Sequence, residues 1–177
     1  TCRLSAEGGG LDAADTATLM INNATSMRNA VEVFTKNATT KAWVGKLDAE
    51  VETWVGVLVK HEAGRMLSDC GMASLLETAE VMKLHGAASE QQGLEPGTVE
   101  QVMHAFYSSL FALVMPSFER LTPPTARAAA RKAIALQIVA AHDSVNTMVR
   151  DPANKYTNAE ACLLHTPEQV RMLLDCD

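Results

Sequence analysis

Apolar residues recur along this chain in steps of three and four, the spacing that puts side chains on one face of an α-helix; no segment shows the strict alternation of a half-buried strand. From Asp12 onward the positions are Met20, Ala24, Met27, Val31 and Phe34, with Asp12 or Asp15 placed to cap the first turn. A second stripe, Val44, Leu47, Val51, Trp54 and Leu58, widened by Val55, Val59 and Met66, predicts a helix from near Thr40. At roughly 25–30 residues it would be about 40 Å long. Gly45, Gly56 and Gly64 fall inside it. Each costs roughly 1 kcal/mol relative to Ala in a helix interior, so close packing against a neighbour is the expected compensation.

Ser74-Leu-Leu-Glu77 has the form of a capping box, in which hydroxyl and carboxylate each satisfy a free backbone N–H. It predicts a short third helix with Leu75, Ala79 and Met82 on one face, ending at Gly86. Residues 86–97 hold Gln, Ser, Gly and Pro with little apolar content, and read as a hinge. Thr98 with Gln101 repeats the box and opens a fourth helix. Val99, Val102, Phe106, Leu110 and Leu113 form its stripe, while Met103, Tyr107 and Val114 widen it enough for contact on two sides. Pro116 kinks or ends it. Thr122-Pro123-Pro124 starts a fifth helix, Thr as cap and Pro in the first turn. Its core face is Ile134, Ile138, Ala141, Val145 and Met148, and Pro152 lies beyond its end.

Thr166-Pro-Glu-Gln169 caps a terminal helix bearing Val170, Leu173 and Leu174. About two turns of helix are too short to persist alone in water, so these three side chains are expected to dock, most simply on the fourth or fifth helix. The pattern thus predicts an all-α, elongated bundle of about six helices. Residues 1–11, with Gly8-Gly9-Gly10, form a flexible lead-in, and 12–177 make one helical-bundle domain. Thr1 in place of Met at the first position predicts a processed chain or a piece of a longer one.

Composition changes this picture little. An apolar share of 47% over 177 residues fills a sizeable core. The net charge of −6 argues against nucleic acid, whose phosphates call for a basic surface. No apolar run approaches the ~20 residues of a membrane span; the nearest, 105–118, is broken by Ser108, Ser109 and Pro116. Cys2, Cys70, Cys162 and Cys176 are far apart and form no CxxC pair, which fits reduced thiols in a cytosolic protein. Two glycosylation sequons, at Asn23 and Asn37, point the other way.

Candidate chemistry is sparse. His61-Glu62 begins like a zinc-protease helix, but position 65 is Arg, so the second ligand is missing. The residues three before the five histidines are Leu58, Met82, Gln101, Val139 and Cys162, none a carboxylate, so the pairs of a di-iron bundle are missing too. His142-Asp143-Ser144 has the residue types of a hydrolase triad, yet neighbours on a helix point about 100° apart and cannot converge. A surface turn is the expectation there. Gly8-Gly9-Gly10 lacks the Gly-Lys-Ser/Thr of a phosphate loop. No catalytic, cofactor-binding or metal-binding residue is assigned, and no cofactor is expected.

One charged feature stands out. Extending the fifth helix's stripe backwards from Ile134 lands on Arg131 and Arg127, with Lys132 and Arg120 near by. They sit toward the positive end of the helix dipole, where cations are mildly unfavourable. Either the early turns rotate, bury Ala126, Ala130 and Ala133 and leave the arginines solvated, or the helix offers its cations to an acidic partner or an anionic membrane surface.

The stretch Asn154 to Leu174 resembles the end of subunit 6 of the conserved oligomeric Golgi complex, in which a Leu-His dipeptide precedes a Pro-x-Gln-Val helix, as Leu164-His165 and Pro167 to Val170 do here. Upstream, LMINNATSMRNAVEVF, LDAEVETWVGVLVKHEAGRML and VEQVMHAFYSSLFALVM follow in that family's order, so the likeness covers roughly residues 15–174. It implies a non-enzymatic, multisubunit vesicle-tethering protein with stacked helical bundles forming a rod. It implies peripheral association with the cytosolic face of the Golgi membrane, a role in intra-Golgi retrograde transport, and as partners the other subunits, SNAREs and Rab proteins. The alternative from another class is a helical enzyme or ligand-binding bundle with a pocket between its helices.

Overall fold

The computed structural model describes residues 11–34, 37–82, 86–111 and 115–175. Leu113 and Val114, read into the fourth helix, and all but the last residue of the lead-in lie outside that range. Among the described residues the regular elements are all helical: α1 Ala13–Glu32, α2 Ala38–Asp69, α3 Met72–Met82, α4 Pro96–Phe111, α5 Pro116–Glu119, α6 Pro124–Arg150, α7 Ala159–Cys162 and α8 Pro167–Leu173, with 3-10 turns at Ala88–Glu90 and Pro152–Asn154. The all-α bundle expected from the spacing is the fold found.

The chain divides into two compact units, residues 1–62 with 114–134 and residues 63–113 with 135–177. In the first, α1 buries Ala14, Ala17, Met20, Ile21 and Ala24; α2 contributes Leu47, Leu58 and Val59, and α6 contributes Ala126, Ala130 and Ile134. Alanine dominates this face, and small side chains let helix backbones approach closely. The α1 stripe does not stay in the core as its spacing suggested: Met27 and Phe34 are exposed. α1 packs against α5. Asn22 closes the corner after α5. Its amide donates to the Arg120 carbonyl (2.8 Å), and its Oδ1 accepts from the Thr122 backbone N–H (3.0 Å) and hydroxyl (2.9 Å). Ser117 donates to the buried carboxylate of Glu62 at 2.6 Å.

In the second unit the core is built from Met66, Met72 and Leu75, from Val99, Met103, Phe106 and Tyr107 of α4, and from Ile138, His142, Val145 and Val149 of α6. α4 packs against α3 and α7. Within residues 86–97, Ala87 and Leu94 are buried. Ala88 N–H donates to Asn154 Oδ1 (3.2 Å), and the Tyr156 hydroxyl donates to the Leu94 carbonyl (2.8 Å).

Helix starts differ from the motif reading in instructive ways. Asp12 caps α1, accepting from Asp15 N–H at 2.7 Å, and Thr166 and Gln169 form the full capping box of α8. Ser74 is no cap: α2 stops at Gly71, whose φ of +82° is the left-handed conformation glycine adopts freely, and α3 resumes at Met72. Thr98 sits inside the first turn of α4 and donates to Glu95, whose carboxylate also accepts from Gly93 N–H at 2.9 Å. The Glu95 backbone N–H first, then that of Gly93 and the Thr98 hydroxyl, hold the Glu95 carboxyl below its usual range. Thr122 points to Asn22 rather than capping α6, which begins at Pro124. Pro116 opens α5 instead of kinking α4. A hydroxyl three residues before a carboxylate or amide is only locally a cap; the neighbouring backbone decides where the turn begins.

Gly45, Gly56 and Gly64 correct a second expectation. An added Cβ at each would meet no atom within 4 Å, so close packing does not explain them. They carry the helix penalty uncompensated. Gly45→Ala, Gly56→Ala and Gly64→Ala should therefore each raise the unfolding free energy by about 0.5–1 kcal/mol, read from urea denaturation of the single and triple variants; loss of stability at any of them would show a backbone requirement.

Candidate functional site

The cations singled out by the α6 register fall in the first unit. Arg120 pairs with Asp15, which raises its pKa further above the ordinary guanidinium value. Arg127 is half-buried and folds back so that its Nε donates to the Leu121 carbonyl at 2.9 Å. Arg131 and Lys132 are exposed. Ala126 and Ala130 are buried and Ala133 is partly so. Of the two readings of these turns, the structure takes the rotation that turns alanine inward, because methyl groups fit a close helix contact and guanidinium groups do not. Arg120 and Arg127 thus brace the corner at 120–123, and Arg131 with Lys132 forms an outward cationic pair one turn on.

The second unit assembles a site that spacing alone did not disclose. Tyr107 of α4 and His142 of α6 are both buried, and the phenol oxygen lies 3.0 Å from His142 Nε2 in a hydrogen bond. Phe106 stacks on the imidazole with ring centres 5.6 Å apart. The Tyr107 ring meets His165 edge-on at 5.0 Å, and its oxygen accepts from the His165 backbone N–H at 3.4 Å. The Leu164-His165 dipeptide is thereby fastened to α4. Cys162 and Leu163, just before it, are buried too.

His142 was expected on a surface turn, and it is wholly buried. The reason lies in register: Ile134, Ile138, His142, Val145 and Val149 step by four, four, three and four along one face. Asp143 and Ser144 are exposed, so the three residues do not converge. A phenol and an imidazole sealed from solvent cannot meet a substrate; they hold the tail. Burial pushes the His142 pKa down and the Tyr107 pKa up, each favouring the neutral form.

The terminal helix shows the same economy. Val170 is fully buried, while Leu173, expected to dock beside it, is 49% exposed and Leu174 is intermediate. Of the seven residues of α8, Val170 is the one that is buried. Among the described residues no three metal-ligating side chains cluster. His61 does not join Glu62 at a common site, since Glu62 is held by Ser117. Two depressions, of about 820 Å³ beside Arg28 and Pro123 in the first unit and about 620 Å³ beside Leu94 and Asp143 in the second, are surface grooves rather than enclosed chambers.

Two outcomes are expected. Val170→Asp should cost about 3 kcal/mol or more, since it places a charge in a sealed apolar contact, whereas Leu173→Asp should shift stability by less than about 0.5 kcal/mol; thermal and urea melts compare them. For His142 the folded pKa lies below the free value of 6.5. As pH falls below that value the unfolded chain takes up a proton that the folded state refuses. Its contribution is intact above 6.5 and is lost as pH falls toward the folded pKa. Urea midpoints from pH 7.5 to 5 should fall, and fall less in His142→Gln.

A family model described as "Conserved Oligomeric Golgi complex subunit 6, C-terminal" matches residues 1–174. Curated relatives named conserved oligomeric Golgi complex subunit 6 include those of Rattus norvegicus, 26% identical over 98% of this chain and 26% of the relative. Those of Dictyostelium discoideum (23% identical over 90% and 24%) and Arabidopsis thaliana (23% over 75% and 20%) are similar in the same way. The chain spans about a quarter of the length of the curated relatives it matches. No solved structure matches it. The tail that resembled this family by its Leu-His and Pro-x-Gln-Val pattern is the segment locked to α4 through Tyr107, and with the family model covering nearly every residue, this chain belongs to the C-terminal family of subunit 6 of the conserved oligomeric Golgi complex.

Proposed function

We propose that this chain is a non-enzymatic domain of a Golgi vesicle-tethering complex and supports intra-Golgi retrograde transport by protein–protein interaction. The observation that carries the reading is the family match over residues 1–174. The side-chain chemistry agrees with it. The polar groups nearest to a catalytic arrangement, Tyr107 with His142 and Glu62 with Ser117, are buried and spent on each other. The two grooves are partly open to solvent, which does not favour a reaction that excludes water. The enzyme or ligand-binding alternative gains no support from any of these features.

The partners in this reading are the other subunits of the complex, with SNAREs and Rab proteins engaged by the assembled tether. Among the described residues no helix is long and apolar enough to cross a membrane. Association with the cytosolic face of the Golgi is then peripheral, through partners or through the exposed cations. Arg131 and Lys132, outward on α6, are the residues we assign to an acidic partner or anionic surface; Arg120 and Arg127 hold the corner behind them.

Co-expression of the tagged chain with the other complex subunits should recover them in stoichiometric amounts, and failure to recover any would overturn the assembly reading. Arg131→Glu with Lys132→Glu should leave helical content and melting temperature unchanged while weakening subunit recovery or binding to anionic liposomes. No change in either assay would return the pair to a merely solvated face.

A further inference from the structure

Two sets of contacts fasten the residues that follow α6. The nearer set is strong. Asn154 Nδ2 donates to the Met148 carbonyl (2.9 Å), the Tyr156 hydroxyl donates to the Leu94 carbonyl (2.8 Å), and Lys155 pairs with Glu90 (2.7 Å). Cys162 and Leu163 are buried, and α7 packs against α4. Beyond Leu163 the hold is slighter. The His165 backbone N–H donates to the Tyr107 oxygen at 3.4 Å, and the two rings meet edge-on. Among the seven residues of α8 only Val170 is buried. The capping box of Thr166 and Gln169 is internal to α8, so this helix can move as one piece.

The farther set hangs on one buried junction. The Tyr107 oxygen lies 3.0 Å from His142 Nε2, both side chains are buried, and His142 Nδ1 has no partner among the described residues. A neutral imidazole takes the phenol hydrogen on Nε2 and leaves the phenol oxygen to accept from the His165 N–H. An imidazolium reverses this. Nε2 becomes a donor, so the phenol oxygen receives N–H from two sides, while its own hydrogen and Nδ1–H face a sealed space. The charges that reach His142 do not offset that cost. Burial is the largest influence and pushes its pKa down; Asp143 on α6 pushes it up, His165 down and Glu168 on α8 up. Asp143 and Glu168 are exposed, where water and salt screen them. Admitting water to the junction is what accommodates the proton.

We infer that the C-terminal helix is an acid-released latch: protonation of His142 breaks the junction at Tyr107, and residues 165–174 swing away while α4, α6 and α7 stay packed. The tail is the part that moves because it gives up least. α4 keeps Val99, Met103 and Phe106 in the core and α6 keeps Ile138, Val145 and Val149, whereas α8 withdraws Val170. Opening wets the phenol hydroxyl and the imidazolium, and it bares Val170 and the adjoining edge of Tyr107. Histidine suits the role because its free pKa lies where a small change of pH alters its charge. The latch is a property of the fold and stands apart from the assembly reading.

Hydrogen exchange of the full chain, followed by mass spectrometry and corrected for the intrinsic pH dependence of amide exchange, reads the latch directly. At pH 7.5 residues 165–174 should exchange through a small opening that about 1 M urea leaves unchanged, while slow amides of α4 and α6 await global unfolding and respond to urea. From pH 7.5 to 5.5 the tail's protection should fall by up to about tenfold, since a free imidazole of pKa 6.5 takes up its proton over that span and the closed one refuses it. His142→Gln should abolish the fall, and His165→Gln should keep it. Tyr107→Phe should leave the tail as poorly protected at pH 7.5 as the parent's is at 5.5. Should His142→Gln fail to fold, the parent's own His142 ring resonance decides: the loss of protection must level off at the pH where that ring titrates. Tail protection that ignores pH overturns the inference. So does a fall that persists in His142→Gln or vanishes in His165→Gln, or a ring titration unrelated to it. Tail exchange that rises with urea in step with α4 and α6 overturns it too, because the tail then leaves only when the whole unit unfolds.

Discussion

Helix α6 is the element on which both cores depend. Over Pro124–Arg150 it supplies Ala126, Ala130 and Ile134 to one unit and Ile138, His142, Val145 and Val149 to the other. Backbone N–H and C=O groups inside a helix are satisfied only by the helix itself, so a break would strand several of them at once. Its residue choice follows from what each part faces. In the first unit its buried positions include Ala126 and Ala130 beside Ile134, and in the second the β-branched Ile138, Val145 and Val149 stand with Ala135 and Ala141. Losing one large β-branched side chain there costs on the order of 1–4 kcal/mol, a sizeable share of a domain's net stability.

Polar groups complete what apolar packing begins. A buried amide, hydroxyl or carboxylate is costly when unpaired, so each pairing is also a positional constraint. Asn22 makes three hydrogen bonds across about a hundred residues of sequence and so fixes the α5–α6 corner. Tyr107 does the same for the C-terminal tail. Its ring is large enough to seal against Phe106 and His165, while its oxygen satisfies one His142 nitrogen and one backbone N–H. The His142 Nδ1 atom has no partner among the described residues, and burial pushes the imidazole pKa down. That arrangement is stable chemistry of a holding kind, and it explains how a two-turn helix can persist at the end of the chain.

What remains outside these cores is the material for binding. The first unit keeps Met27, Phe34 and Trp43 at the surface, with Lys46 Nζ 5.4 Å from the centre of the Trp43 ring. In the proposed reading this domain works through the partners it binds. The comparison with subunit 6 of the Golgi complex and the distribution of exposed side chains point in the same direction.

Much of this was legible in the residues themselves. Steps of three and four located the long helices, and Thr166 with Gln169 marked a true capping box, because both features are local and need only the helix's own geometry. The net charge and the missing ligand spacings argued against nucleic acid and metal for equally local reasons. The tail's pattern named the family before any contact was known. Other matters were decided only in three dimensions. Ser74, Thr98 and Thr122 each looked like a cap, but a helix begins where the preceding backbone turns, and that is set by Gly71, Glu95 and the Asn22 corner. His142 lay in the core register all along, yet a polar residue is worth burying only if a partner meets it, and Tyr107 is 35 residues away. Met27 and Phe34 belong to a regular stripe, but spacing says which side chains share a face and not whether anything covers it. The sequence by itself determined the helices and their apolar faces, since those follow from the 3.6-residue period; which faces close on each other and which stay open was decided by long-range pairings that no local pattern encodes.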